Sequence, residues 1–476
     1  MVGIVSYGAY VPMWRIDRGQ IADASGGGSM GGERTVASWD EDSLTMGLEA
    51  GLDCLSGFDP KEVDCLYFAT VSSPFKEKQA SSIIASALDL RRDVHTGDFT
   101  TSSRAGTIAV KAAFDAIKSG SAKKVMVVAA DTRRAMPKSE FEQIYGDGAA
   151  ALLIGDKEVI ADMEGFSSVS NAIPGIWRRD EDVYPKKFEP KLDRVYGLLK
   201  DVPEAVIKIL KDVNLETGDI AKFALYGPDP RAYRDLARVL RIDPKAQLQD
   251  PLFGTVGITG TPHCLLLLVA ALEEAKVNEK IVCAGYGEGS DAFLVTTTEK
   301  IAQQRGKHRG TRYISSRRMV PSYGHFEDFQ GTRETGWPPK EQRASVVKYW
   351  RDEKWELALY GMRCNKCETL QYPIARCCMM CGEKDNHEEV KIAKKGQVYT
   401  YTHDYLVGPG MTPGDGINPA TRIVADMQDG CRLWLEMSDH ELGEVDIGMS
   451  IEATFRLIHQ KGGSRYYGWR ARPARE

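Results

Sequence analysis

From the first residue to about residue 300, apolar β-branched runs alternate with helix-like stretches, and this alternation predicts an α/β core. Strands are expected over GIVSYGAYV, DCLYFATV, KKVMVVAAD, AAALLIG, KFALYG, KIVCAGYG and AFLVTTTE, bounded by Gly, Pro or Asp. Helices are expected over TMGLEAGLDCLSG, SSIIASALDL, RAGTIAVKAAFDAIKSG, PRAYRDLARVLRI and PHCLLLLVAALEEAK. In the third helix Ile108, Ala112, Phe114 and Ile117 fall near one another, as a central buried helix requires.

Past residue 300 the pattern turns charged and aromatic (RGKHRGTRYISSRR, then KYWRDEKWELALYG), with a Gly-Trp-Pro-Pro turn at 336–339. From 358 a cysteine cluster precedes short alternating strands: GQVYTYTHDYLV, RIVADMQDG, RLWLEMS, IEATFRLIHQ and RYYGWRA. Strands at this spacing predict a small β-barrel. The divisions expected are a first domain over 1–330, a linker helix over 331–357, a metal ribbon over 358–390 and a barrel over 391–476.

A chain of 476 residues needs several hydrophobic cores. With 42% hydrophobic and 27% charged residues it reads as an ordinary globular protein. The apolar runs are too short to span a bilayer, and a net charge of −5 with a pI near 6.0 argues against general nucleic-acid binding. The start MVGIVSYGAYVP reads as strand and turn rather than a secretion signal, so the expected location is the cytoplasm.

Four of the ten cysteines form two Cys-x-x-Cys pairs, Cys364 with Cys367 and Cys378 with Cys381. Two such knuckles complete a closed tetrahedral thiolate shell, the arrangement of structural zinc, with no open position for catalysis. Cys377 lies one residue out of phase, which leaves a register ambiguity with Cys378.

The segments YGMRCNKCETLQYPIARCCMMC, GQVYTYT, GMTPGDG, ADMQDGCRLW, DIGMSIEATF and YYGWRA resemble the acyl-CoA-associated zinc-ribbon and OB-fold family. That resemblance covers most of 345–473 and implies contact with CoA rather than nucleic acid. Modules of this family accompany thiolase-fold enzymes as fusions or partner subunits, so a partner thiolase is one expectation. Residues 1–330 resemble hydroxymethylglutaryl-CoA synthase of the archaeal type, in the thiolase superfamily, through SSRAGTIAV, YGDGAAALLIG, the apolar helix after GITGTPH, and AGYGEGSDAFLV. The fold implied is a layered αβαβα thiolase-like domain followed by a zinc ribbon and a small OB barrel, working as a homodimer.

In that family a cysteine before a Lys/Arg-Ala-Gly-Thr stretch takes the acyl group; here the position is Ser103. The family histidine falls on Gly227 or Tyr226, its glutamate on Val71 and its asparagine on Ile258. A serine acyl acceptor needs an adjacent base, and none is evident, so Ser103 also reads as a small residue lining an acyl pocket. The remaining polar set is His263, Tyr226 and Tyr286, each of which reads alone as a cap or as packing. Together they suit removal of a β-hydroxyl proton in a cysteine-independent aldol or retro-aldol reaction on a β-hydroxyacyl-CoA. Two other readings stand beside it: Claisen-type acyl transfer, with or without Ser103, and a non-catalytic CoA-binding scaffold. The basic clusters at 133–138, 177–187 and 314–319 are candidates to meet CoA phosphates. GGGSMGG at 26–32 lacks the Lys of a phosphate loop and reads as an entry loop.

Overall fold

The computed structural model describes residues 1–333, 345–406, 417–461 and 464–475. The Gly-Trp-Pro-Pro turn, part of the expected linker helix and the GMTPGDG segment lie outside the described residues. The chain forms two compact units. The first holds Met1–Ala37, Asp42–Ala85 and Leu90–Tyr323; the second holds Gly324–Glu476 with the short segments Ser38–Glu41 and Ser86–Asp89.

Nine strands of the first unit hydrogen-bond in the order Lys222–Leu225, Lys280–Tyr286, Gly289–Thr297, Ala161–Ser170, Gly3–Tyr10, Gly148–Gly155, Lys124–Asp131, Cys65–Ala69, His95–Phe99. The central join rests on two residue pairs, Gly3 with Asp162 and Ile4 with Ala161, so the strands divide into two halves. The helices Ala105–Lys118 and His263–Glu274 pack against strands of both halves.

Strand parity fixes the layers, because successive side chains point to opposite faces. On Lys124–Asp131, Val128 and Ala130 approach Gly47 of the helix Ser43–Cys54, whereas Ala129 approaches Gly106 of Ala105–Lys118. On Ala161–Ser170, Ser167 donates to Ala205 O of the helix Leu199–Asp212, while Phe166 lies 5.5 Å from Phe114 of Ala105–Lys118. Helix, half-sheet, buried helix pair, half-sheet and helix therefore stack in five layers. Leu265, Leu266, Leu267 and Leu268 are all fully buried, as an all-round apolar helix between two sheets must be.

Two strands and a helix escape the apolar pattern. His95–Phe99 and Ala161–Ser170 are half polar, and Leu199–Asp212 carries Pro203 near its start. The buried stripe of Ala105–Lys118 is Ala109, Val110, Ala113 and Ile117; the expected Ile108, Ala112 and Phe114 are only half-buried. No helix of the described residues is long and apolar enough to cross a membrane.

In the second unit Tyr360–Cys364 pairs with Leu370–Gln371 and His387–Lys391. Five strands follow in the order Arg432–Glu436, Ala420–Met427, Lys395–Asp404, Ser450–Lys461, Ser464–Pro473. A bridge between Met437 and Ala471 draws the two edges together into a nearly closed barrel. Within this unit three buried arginines are neutralised: Arg456 by Asp439 at 2.5 Å, Arg470 by Glu436 at 3.0 Å and Arg472 by Glu452 at 2.8 Å.

Candidate active site

The two buried helices of the first unit start side by side. A Cβ on Gly106 would fall 2.8 Å from Thr261 O, so this approach requires glycine. Both N-termini bring partial positive charge to one place. Asp131, at the end of its strand, ties the surrounding loops together. One carboxylate oxygen accepts from Thr70 Oγ1 (2.9 Å), Val71 N (2.8 Å) and Ser72 Oγ (2.7 Å), and the other from Thr261 N (2.8 Å).

Ser103 stands just before the helix Ala105–Lys118, and its hydroxyl donates to Tyr286 O at 2.7 Å. A Cβ on Gly287 would lie 2.7 Å from the Ser103 Oγ, so glycine there leaves the serine its place. The nearby charges are otherwise engaged: Arg104 Nη1 pairs with Asp291 at 3.2 Å, and Thr107 holds the other Asp291 oxygen. Among the described residues no base is hydrogen-bonded to the Ser103 hydroxyl.

His263 is the first residue of its helix but not its cap; the preceding Pro262 provides no side-chain bond. Its Nε2 lies 2.7 Å from the Tyr233 hydroxyl. The Thr259 N–H faces Nδ1 at 3.4 Å, and an amide only donates, which assigns the ring proton to Nε2. Burial pushes the imidazole down to about 3, so it is neutral at physiological pH. The Tyr226 ring meets that of His263 edge-on at 6.0 Å and lies 6.5 Å from Tyr286. Tyr286 donates to Asp193 Oδ1 at 2.5 Å. Burial raises the Asp193 carboxyl above the ordinary aspartate range, against the lowering effect of the Tyr286 bond. Burial, then the bond to Asp193, raises the Tyr286 hydroxyl.

The structure thus brings His263, Tyr226 and Tyr286 into one run of rings, with Ser103 attached through the Tyr286 carbonyl. It adds residues that the sequence did not disclose. Tyr233, from the helix Pro230–Leu240, and Asp193, from a π-helical turn over Asp193–Leu198, supply the partners of His263 and Tyr286. Tyr233 sits on the apolar side of its helix, and Asp193 sits in a charged stretch; neither position carries a motif. Arg133, the first residue of one expected CoA-phosphate cluster, is turned inward with 8% exposure, its guanidinium 4.4 Å over the Tyr145 ring.

In the second unit the sulfurs of Cys364, Cys367, Cys378 and Cys381 all lie within 4.8 Å of one another, with Cys364–Cys381 at 3.6 Å and Cys367–Cys378 at 3.5 Å. A tetrahedral zinc with Zn–S of about 2.3 Å needs sulfurs about 3.8 Å apart, so these thiols fit the ion. Cys378, not Cys377, completes the set, which settles the register.

Comparison with known proteins agrees with this architecture. Residues 98–171 match the family model of 3-oxoacyl-[acyl-carrier-protein] synthase III, and 354–388 match the ChsH2 rubredoxin-like zinc ribbon domain. A solved hydroxymethylglutaryl-CoA synthase complexed with CoA superposes with a TM-score of 0.64 at 17% identity, covering 72% of this chain and 94% of that one. The 3-oxoacyl-(acyl carrier protein) synthase III of Pseudomonas aeruginosa superposes at 0.57 and 18% identity, covering 62% and 98%. The first unit therefore shares the fold of these synthases. The hydroxymethylglutaryl-CoA synthase of Methanopyrus kandleri is 30% identical over 336 residues, covering 68% of this chain and 96% of the relative. That of Pyrococcus horikoshii is 32% identical over 332 residues, covering 68% and 95%. Through this domain the chain belongs to the hydroxymethylglutaryl-CoA synthase family, with a zinc ribbon and small barrel joined behind it.

Proposed function

We propose that the protein makes or breaks a carbon–carbon bond of an acyl-CoA thioester without passing the acyl group through an enzyme nucleophile. Aldol or retro-aldol chemistry on a β-hydroxyacyl-CoA is the reading we favour. The observation that carries it is the contrast between two hydroxyls. Ser103 donates to a main-chain carbonyl and has no base among the described residues, whereas Tyr286 donates to the carboxylate of Asp193 at 2.5 Å.

In the cleavage direction the β-hydroxyl proton passes to Tyr286 as the Tyr286 proton passes to Asp193. The O–H electron pair becomes the carbonyl of the leaving product, and the Cα–Cβ pair moves into the thioester enolate. Donors at the two helix starts are suited to holding that enolate oxygen. Protonation at Cα completes the acyl-CoA product. The neutral His263, bonded to Tyr233 and edge-on to Tyr226, holds the tyrosine wall in place. The ribbon cysteines would hold zinc as a structural ion; when bound it fixes the ribbon and takes no part in the reaction.

Family membership favours a second reading, Claisen-type condensation as the relatives' name implies. The two separate in one experiment: incubation with a panel of β-hydroxyacyl-CoA thioesters, including 3-hydroxy-3-methylglutaryl coenzyme A. Aldol chemistry yields a free carbonyl compound plus a shortened acyl-CoA, with unmodified protein. Claisen chemistry through Ser103 yields a protein heavier by one acyl group.

A further inference from the structure

Asp193 owes its place to the residue beside it. The π-helical turn Asp193–Leu198 buries little before Gly197, since Val195 and Tyr196 are exposed. A turn so lightly packed does not by itself fix a carboxylate at hydrogen-bond distance from a hydroxyl. The fit is nevertheless tight. A Cβ on Gly197 would overlap the Tyr286 hydroxyl and fall 3.3 Å from Asp193 Oδ1, and one on Gly175 would fall 3.0 Å from the same oxygen. A small shift of the turn therefore breaks the bond between Tyr286 and Asp193.

Arg194 supplies the anchor. Its Nε and Nη2 donate to Asp235 Oδ2 at 3.1 Å and 2.6 Å, and its Nη1 donates to Asp229 Oδ2 at 3.2 Å. Both aspartates belong to the helix Pro230–Leu240 and its cap: Asp229 is the N-cap and accepts from Ala232 N at 2.8 Å. Tyr233, Leu236 and Leu240 fix that helix in the core, and Tyr233 bonds His263. A planar guanidinium spans two carboxylates in a way that a point charge cannot. Arg194 and Asp235 are partly buried, which limits their screening by water, and the Arg194 hydrogen bond holds the Asp235 carboxyl below the ordinary range. The charges that weigh most on Asp193 are those of Lys187 and Asp201, so Arg194 reaches its neighbour through the backbone rather than through its field.

We propose that Arg194 is a positioning residue: by tying the turn Asp193–Leu198 to the helix Pro230–Leu240 it holds Asp193 against Tyr286, and so governs the proton transfer without touching substrate. This rests on the aldol reading above.

The test is steady-state cleavage of 3-hydroxy-3-methylglutaryl coenzyme A and 3-hydroxybutanoyl-CoA by the full zinc-loaded chain, read as released carbonyl compound. Arg194→Gln is expected to lower kcat about tenfold to a hundredfold with KM unchanged, the cost of a misplaced catalytic group. In an Asp193→Asn background the same substitution is expected to cost nothing further, because the path it supports is already cut. Asp235→Asn loosens the anchor from the helix side and is expected to lower kcat with the same dependence on Asp193, which keeps the test open should Arg194→Gln fail to fold. Full kcat in whichever of the two folds, beside a crippled Asp193→Asn, overturns the positioning role and leaves the aldol reading standing. So does an equal fractional loss from Arg194→Gln with and without Asp193, the mark of a merely structural residue. Full turnover by Asp193→Asn, or cleavage of neither thioester by the wild type, removes the aldol reading and the positioning role with it.

Discussion

The ring of Tyr233 stands where a side chain on Gly227 would go: a Cβ at 227 would lie 2.9–3.1 Å from three Tyr233 ring carbons. Gly227 is one of the two positions, with Tyr226, on which the resemblance places the family histidine, and Tyr233, whose ring fills the space beside it, bonds another histidine, His263. Gly227→Ala is expected to force the ring aside and destabilise the fold by about 1–3 kcal/mol, as overpacking does. In a Tyr233→Leu background the same change costs less. A double-mutant cycle by denaturant unfolding reads the coupling, and strict additivity would show that the two positions do not compete for space.

Tyr286→Phe and Asp193→Asn each interrupt the proposed proton path. Each is expected to lower kcat by about 10²–10⁴-fold, the usual contribution of a positioned acid–base group, with acyl-CoA binding retained. Asp193 must be ionised to accept the proton, and burial raises its pKa. The acid limb of the wild-type rate profile therefore falls at a pH above the ordinary aspartate range. A limb at ordinary aspartate pH, or full activity in Tyr286→Phe, would remove the pair from the mechanism.

The α/β elements of the core were legible because they are apolar with clean boundaries, whereas the five layers were implied by the family resemblance. Gly148–Gly155 and His263–Glu274 are examples of such elements. The missed strands His95–Phe99 and Ala161–Ser170 pair through backbone groups that composition does not report, and their half-polar residues hide them. The zinc ligands were legible because two Cys-x-x-Cys turns define them locally. At the candidate site, sequence disclosed one member of each pair, His263 and Tyr286, through glycine-rich turns near helix or strand ends. Their partners Tyr233 and Asp193 lie 30 and 93 residues away, and only the fold brings them near. Arg133 read as a candidate for CoA phosphates because nothing local distinguishes a buried arginine from a solvated one.

His263 gives folding a predictable pH dependence. Its pKa is depressed from 6.5 to about 3 by burial, so the unfolded chain binds its proton more readily. Its contribution to stability is present above pH 6.5 and is lost as pH falls toward 3, at about 1.4 kcal/mol per pH unit. Subtracting the stability curve of His263→Gln from that of wild type, by denaturant unfolding between pH 7 and pH 5, isolates this slope. Identical slopes in the two proteins would place the His263 imidazole in solvent.

Zinc removal should unfold the ribbon alone. Chelation, or Cys378→Ser, is expected to release one metal ion per chain and to expose Tyr360–Cys364 and His387–Lys391 to amide exchange, while the first-unit strands stay protected. Retained protection of the ribbon strands after chelation would contradict a structural ion at the four thiols.

The most direct test of the central claim is intact-protein mass spectrometry during turnover of a β-hydroxyacyl-CoA, with products analysed in the same sample. The account predicts a free carbonyl compound and a shortened acyl-CoA from a protein of unchanged mass, and the same turnover in Ser103→Ala. An acyl adduct mapped to Ser103, lost together with activity in Ser103→Ala, would contradict it.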